Sequence, residues 1–277
     1  MPCYNDGETL PEALASLMEQ EPHELVVVDD GSDDPATRAI LTDLERAGTH
    51  VVHRENGGLA AARMSGVAAS SAPYVMPLDA DDALAPGALT ALADAIDADD
   101  DAAIAWGDVD IWGEFDVRVD VGRDLDPWQI TYINTVPVAS LVRRDALLSV
   151  GGWQLRHGYE DWDLWMSLAE RGFRGLYTPV PTLRYRRRPG RMLEGCLPRH
   201  SELYAELRSR HAMLFDLRRR HWLSSTAPLR DRVLFPLIAR IPVREFDRIR
   251  LYGFVDKPFQ ILRMRRLRRL TKPAIAA

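Results

Sequence analysis

Residues 24–35 read ELVVVDDGSDDP. The β-branched run Val26-Val27-Val28 suits a strand, and it stops at a cluster of turn formers, Asp29-Asp30-Gly31-Ser32-Asp33-Asp34-Pro35. On its N-terminal side, residues 9–20 (TLPEALASLMEQ) place apolar residues at helical spacing behind Thr9, a candidate cap, with Pro11 in the first turn. On its C-terminal side the pattern predicts a helix over 36–47 and a strand over 49–53. A helix over 59–70, opened by Gly57-Gly58, follows. Ala72-Pro73 breaks it, and a strand is expected over 74–78. Asp79-Ala80-Asp81-Asp82 comes next, then a helix over 86–96. Strand and helix thus alternate at short spacing through the first hundred residues. That rhythm argues for a parallel α/β sheet with right-handed crossovers.

Past Asp97 the rhythm changes. An acidic loop leads to a strand over 102–112. Residues 126–133 read as helical, 137–142 as a strand and 143–149 as a helix. Gly151-Gly152-Trp153 and a loop precede Tyr159-Glu160-Asp161-Trp162-Asp163-Leu164-Trp165, which opens a helix ending near Gly172. Residues 173–186 read as two short strands. From about 195 the chain is helical, rich in arginine and punctuated by Pro228, Pro236, Pro242 and Pro258. The expected organisation is a first half over 1–97, a second half of the same domain over 98–194 and a basic helical extension over 195–277.

The chain also opens on a puzzle. Met1-Pro2-Cys3-Tyr4-Asn5 reads as the loop after a strand, with no strand before it, whereas strands usually run ~5–6 residues. The first strand is therefore expected to be truncated, the natural start to lie upstream and Met1 to be a misplaced start.

With 46% hydrophobic and 27% charged residues in 277, the composition excludes wholesale disorder. Cys3 and Cys196 are too few and too far apart for a disulfide framework or a cysteine-rich zinc site. No apolar stretch reaches the ~18–20 residues of a membrane span, and no signal-peptide pattern opens the chain. The expected location is the cytoplasm, with a peripheral place on the inner face of the cell membrane as its extension. The net charge of −6 hides a split. Residues 1–181 hold 11 Arg and no Lys against 33 acids, whereas 182–277 hold 22 Arg and two Lys against 8 acids. The acidic body suits a divalent cation. The basic tail suits an anionic surface, or it packs on the body.

Common nucleotide signatures are absent. No Gly-x-x-x-x-Gly-Lys-Ser/Thr occurs, and the only lysines are Lys257 and Lys272. No Gly-x-Gly-x-x-Gly follows a strand, which argues against P-loop ATPases and dinucleotide dehydrogenases. Acids at strand ends remain: Asp29-Asp30 and Asp79-Ala80-Asp81-Asp82. Ligands of open α/β sheets bind outside the carboxyl ends of strands. In Asp-x-Asp on an extended loop, alternate carboxylates share a face, one for a hard cation and one for sugar hydroxyls. The same acids also suit a solvated turn or a helix cap. The seven histidines show no metal-ligand spacing.

Taken together, PCYNDGETL (2–10), VVVDDGSDD (26–34), ENGGLAAARMSG (55–66), PLDADD (77–82) and GYEDWDLW (158–165) resemble, in this order, the motifs of family 2 glycosyltransferases. The resemblance covers roughly residues 1–195. It implies the GT-A fold, a Rossmann-like and mostly parallel sheet with flanking helices, and an inverting transfer from a nucleotide-sugar. By the same resemblance, Pro2, Tyr4 and Asp30 hold the nucleobase and ribose, while Asp29 supports the loop. Asn56 and Arg63 add nucleotide contacts. Asp79 and Ala80 face the nucleoside side, and Asp81 ligates Mn²⁺ or Mg²⁺. Asp161, paired with Glu160, is the implied general base. Residues 185–192 resemble a loop closing over the pyrophosphate, with Arg186, Arg188 and Arg191 toward the phosphates. The family often has His where Arg188 stands and Ser where Arg191 stands.

The expected reaction moves one sugar, from a UDP- or dTDP-linked donor, to a hydroxyl on a glycan, a lipid-linked or a small-molecule acceptor in cell-surface assembly. A processive synthase would need membrane helices and a Gln-x-x-Arg-Trp motif, which Arg218-Arg219-Arg220-His221-Trp222 only partly echoes. A nucleotidyltransferase would need a Gly-rich basic N-terminal loop. A scaffold that keeps the fold and binds through its tail is the non-enzymatic alternative. In the tail, residues 259–270 place Ile261, Met264, Leu267 and Leu270 on a stripe among arginines, a pattern for anionic lipid or for packing on the body. No nucleic-acid motif accompanies these arginines, and nucleic acid is not an expected partner.

Overall fold

The computed structural model describes residues 1–113, 116–119, 121–187 and 195–257. Three short strands, β1 (Pro2–Cys3), β2 (Val26–Asp29) and β3 (His50–His53), pair in parallel in the order β1-β2-β3. Their crossovers are α1 (Leu10–Leu17) and α2 (Pro35–Arg46). Asp34 caps α2, its carboxylate accepting from Thr37 N at 2.7 Å, with Pro35 in the first turn. Val27, Leu10 and Leu41 are fully buried between these layers, and Val28 is fully buried on the opposite face of β2.

After α3 (Leu59–Ala69) the sheet becomes mixed. Strands β4 (Tyr74–Val75), β5 (Ala83–Leu84), β6 (Ala102–Gly113), β7 (Val117–Val119), β8 (Leu141–Arg143) and β9 (Arg174–Arg187) form a second sheet of order β4-β8-β6-β9-β5, with β7 on β6. Only β6 and β9 are parallel; the other four pairings are antiparallel. The parallel rhythm read from the sequence therefore belongs to the first half. Helices α4 (Ala88–Asp97), α5 (Arg144–Ser149) and α6 (Glu160–Glu170) lie along this part of the chain. The main core gathers Ile104, Trp106, Leu147, Leu164, Trp165 and Met166, all fully buried.

Several local expectations change. Residues 173–186 form one long strand rather than two. Its pairing with β6 shifts register around Gly107 and Asp108, opposite the Thr178-Pro179-Val180-Pro181 stretch. The prolines sit at that irregularity, where no ladder N–H is required. The helix expected over 126–133 is a single 3₁₀ turn, Gln129–Thr131. The strand expected over 74–78 spans two residues. Where no strand was expected before Tyr4, Pro2 and Cys3 pair with Val28 and Asp29. The Met1 amino group donates to Val26 O at 2.7 Å, and burial pushes its pKa down to about 5. Between this edge and β4 lies an apolar cavity of about 350 Å³, which Met1, Val26, Val28, Met76, Leu78 and Leu141 help to line.

The C-terminal segment packs on the body. Its described helices are α7 (His200–Arg210), α8 (Ala212–Asp216), α9 (Arg218–Ser224), α10 (Leu229–Ile238) and α11 (Glu245–Asp256). Phe235 stacks on Trp128 at 5.8 Å, and Tyr132 meets Tyr252 edge-on at 5.2 Å. The Asp126 carboxylate accepts from Trp128 N and Gln129 N at 2.8 Å and from Thr226 N at 2.7 Å, so one buried acid ties two distant loops. No described helix is long and apolar enough to cross a membrane.

Candidate active site

Three strand ends and one helix start converge. At the ends of β1 and β2, Pro2 is buried, Tyr4 is about half-exposed, and Asp30 N donates to Cys3 O at 2.9 Å. Asp29 and Asp30 are both buried, and each holds a loop. Asp29 Oδ1 accepts from Ser32 N at 2.8 Å, and its Oδ2 meets His53 Nδ1 at 2.9 Å. Burial opposes ionisation of Asp29, but the bonds from Ser32 and His53 outweigh it and lower its pKa. Asp30 accepts from Gly57 N at 3.1 Å, Gly58 N at 2.8 Å and the Arg54 guanidinium. Both of its oxygens therefore order the turn into α3. Gly31 lies in the left-handed region (φ 77°), and a Cβ there would come within 2.8 Å of Asn56 N. A side chain at 31 would push away the exposed Asn56 loop.

The loop between β4 and β5 carries Asp79-Ala80-Asp81-Asp82. Ala80 and Asp82 are buried, whereas Asp79 and Asp81 are half-buried. Arg186 on β9 holds this loop from the side. Its backbone N donates to Asp82 Oδ1 at 2.8 Å and its Nε to Asp81 O at 2.9 Å, while its guanidinium pairs with Glu12 and covers the Trp112 ring at 3.8 Å. Burial, then Asp79 and Asp81, raise the Asp82 pKa well above its ordinary value; among the described residues its buried Oδ2 has no hydrogen-bond partner.

The helix start is α6. Gly158 (φ 113°) and Tyr159 (φ 60°) turn the chain sharply, and Glu160, Asp161 and Asp163 fill the first turn, where the helix dipole favours acids. Asp163 points into the core. It accepts from Arg210 Nε at 2.6 Å and pairs with His211 Nε2 at 3.0 Å, linking α6 to α7 and the turn after it. Trp162 and Trp165 are core residues, as their type suggested; Trp162 Nε1 donates to Ile130 O at 2.8 Å.

Arg63 joins the two ends. It rises from α3, is buried, and its side chain is 2% exposed. Its NH1 donates to Asp161 Oδ1 at 2.7 Å and Glu160 Oε1 at 3.1 Å, and its NH2 to Asp79 at 2.9 Å. Residues 16 and 98 positions away thereby meet on one guanidinium. Trp153 closes the ring, donating Nε1 to Asp161 Oδ1 at 3.1 Å. Burial disfavours the Arg63 charge, but the three carboxylates more than restore it and raise its pKa. One arginine against three acids leaves negative charge in excess. Burial first, and the Glu160 and Asp79 charges, push Asp161 up to about 7 although Arg63 pulls it down. Oδ1 carries the two bonds; among the described residues Oδ2 accepts none.

The carboxylates of the 79–82 loop are of the type that holds a hard divalent cation. Among the described residues no three His, Cys, Asp or Glu side chains form a ready cage. Mg²⁺ and Mn²⁺ commonly rest on one or two carboxylates and take the remaining oxygens from substrate phosphates. Arg188, Arg191 and residues 259–270 lie outside the described residues. Arg63, expected beside the nucleotide, holds three carboxylates, and Trp153, Arg210 and His211 were not among the expected site residues. A lone arginine within Ala-rich LAAARMSGVAA was the signal for a buried ion-pair hub.

The model of glycosyl transferase family 2 matches residues 1–147. Succinoglycan biosynthesis protein ExoU of Rhizobium meliloti (strain 1021) is 46% identical over 88 residues, 31% of this chain and 26% of that protein; the chain thus spans about a quarter of ExoU's length. An uncharacterized glycosyltransferase of Mycobacterium tuberculosis (strain ATCC 25618 / H37Rv) is 30% identical over 174 residues, 57% of this chain and 72% of that one. Among solved structures, S. aureus TarS 1–349 in complex with UDP-GlcNAc superposes with a TM-score of 0.63 at 17% identity, over 97% of this chain and 89% of that one. At that identity the likeness concerns the fold.

Proposed function

We propose that this chain, which belongs to glycosyl transferase family 2, transfers a single sugar from a UDP- or dTDP-linked donor to an acceptor hydroxyl, with inversion, in the assembly of a cell-surface glycan or glycolipid. The observation that carries the reading is the Asp161 carboxylate. It sits at the start of α6, held through Oδ1 by Arg63 and Trp153, with its pKa pushed up to about 7. A base poised near neutrality is what deprotonation of a hydroxyl needs. Arg63 spans from this base to Asp79 on the Asp-x-Asp loop. Base and donor loop are thereby fixed relative to each other, which favours an in-line approach.

Asp81 is the proposed ligand of Mn²⁺ or Mg²⁺, and the bound cation would stabilise charge on the leaving diphosphate. Arg186, beside that loop, braces it through Asp81 O and Asp82. Tyr4, Asn56 and the Asp30-ordered turn line the nucleotide side. ExoU, named for succinoglycan biosynthesis, and TarS, solved with UDP-GlcNAc, support a nucleotide-sugar donor and a polysaccharide setting.

Thermal stabilisation of the chain by UDP, dTDP and GDP, with and without Mn²⁺, tests the reading. Ligand binding to the native state adds ~2.7 kcal/mol at a hundredfold excess over Kd. One nucleotide should stabilise the chain only with metal, and Asp81→Ala should remove the effect. A folded chain that no nucleotide stabilises under any metal condition sinks the proposal.

A further inference from the structure

Helix α10 is apolar on two sides. Phe235 and Ile238, with Asp231, are buried against Trp128, Tyr132 and Tyr252. Leu229, Val233 and Leu237 recur every fourth residue on another face and are 71%, 49% and 52% exposed. Ile241, past the helix end, is also exposed. Leu223, 72% exposed, lies on α9, which Trp222 ties to α10 through bonds with Arg232 at 2.9 and 2.8 Å. A surface helix ordinarily has one apolar stripe and turns a polar face outward. Here the outward face is a second apolar stripe.

The chain around this stripe is cationic. Residues 217–250 hold nine arginines and three acids. Two of those acids are already paired, Asp231 with Arg230 and Glu245 with Arg248. Arg219, Arg220, Arg240, Arg244 and Arg250 are exposed. An apolar centre inside an arginine rim is the pattern of an interfacial helix on anionic lipid, where side chains enter the headgroup boundary and the guanidinium groups meet phosphates.

We infer that this face of α9 and α10 docks on an anionic bilayer, with Leu223, Leu229, Val233 and Leu237 at its centre. The charge pattern decides among occupants. A second copy docking the same face would set two arginine rims against each other. Residues 258–277 hold five Arg, one Lys and no acid, so that segment carries the same sign as the rim and complements it poorly. A phosphate-bearing lipid surface satisfies both the stripe and the rim. This inference does not depend on the proposed transfer reaction.

The test is co-sedimentation of the full chain with vesicles of phosphatidylcholine alone and with about 30% phosphatidylglycerol, a fraction that makes the surface anionic. Binding should be about tenfold or more tighter on the anionic vesicles and should weaken at high salt. L229S/V233S/L237S acts on side chains that are 49–71% exposed, so its melting temperature should stay close to the parent's, while its vesicle affinity should fall about tenfold or more. Absence of binding by the parent overturns the inference. So does a triple variant that binds as the parent does, which would shift the contact to another segment. A parent that self-associates without vesicles while the triple variant is monomeric would reassign the face to a second copy or to another protein surface.

Discussion

Two acidic loops follow strands in this chain, and their carboxylates are engaged differently. At the end of β2, Asp29 and Asp30 meet donors from their own neighbourhood: Ser32 N, Gly57 N, Gly58 N, His53 and Arg54. At the second site, Asp79, Glu160 and Asp161 share one guanidinium, and the buried Oδ2 of Asp82 has no partner among the described residues. The first loop is electrostatically settled. The second carries surplus negative charge, which a proton or a cation can relieve. The same residue type in a similar strand-end setting thus builds a scaffold in one place and a chemically poised centre in the other.

The largest effect that separates the two is expected at Asp161. Asp161→Asn should keep the fold and the nucleotide-dependent stabilisation but lower kcat by about 10²–10⁴, the usual worth of a positioned base. In the parent, the rate should rise with pH through about 7, because the base must be ionised. Stability runs the other way. A carboxyl whose folded pKa lies above its unfolded value contributes stability at low pH that is lost as pH climbs from about 4 through about 7. The variant should lack that slope in melting curves. An Asp161→Asn protein with undiminished turnover would leave the second loop as structural as the first.

Arg63 comes next. Removing one partner of a buried ion pair leaves charge uncompensated and typically costs ~3–5 kcal/mol. Arg63→Met should lose stability on that scale at pH 8 and recover part of it at pH 5, where Asp161 can take a proton. Chemical denaturation at both pH values measures this. Equal losses at the two pH values would mean that the three carboxylates are not sharing the arginine.

The fold and the motif positions were legible because they rest on local signals. The Val26–Asp29 strand, the Asp34-Pro35 helix start and the acidic first turn of α6 are each written within a few residues. The ties between them were not. Nothing near Arg63 names Asp161, 98 positions on, and nothing near Asp163 names Arg210 and His211. Long-range pairing of charges is decided by topology, which a single sequence shows only as residue types. Likewise Pro179 and Pro181 argue locally for a break in β9, and only the bulged register against β6 lets the strand run through them. Asp30 makes the point at the site itself. Its place in the family motif suggested a ligand contact, and nothing in the sequence showed that its two oxygens also order the turn into α3.

The smallest effect sharpens the first half of the comparison. His53 is half-exposed and bridges Asp29 and Glu45 at 2.9 and 3.2 Å. The bond from Asp29, and then Glu45, raise its pKa although partial burial opposes this. A histidine with a raised folded pKa stabilises fully below its unfolded pKa near 6.5 and loses that contribution as pH rises through the folded value. Solvent screening limits the pair to at most about 1 kcal/mol. His53→Ala should therefore destabilise the chain measurably at pH 5.5 and hardly at pH 8.5, with nucleotide affinity unchanged at pH 8.5. The window is what distinguishes it from Asp161, whose contribution is gone by about pH 7. If His53→Ala also weakened nucleotide binding at pH 8.5, Asp29 would be coupled to the ligand, and the first loop would be more than a scaffold.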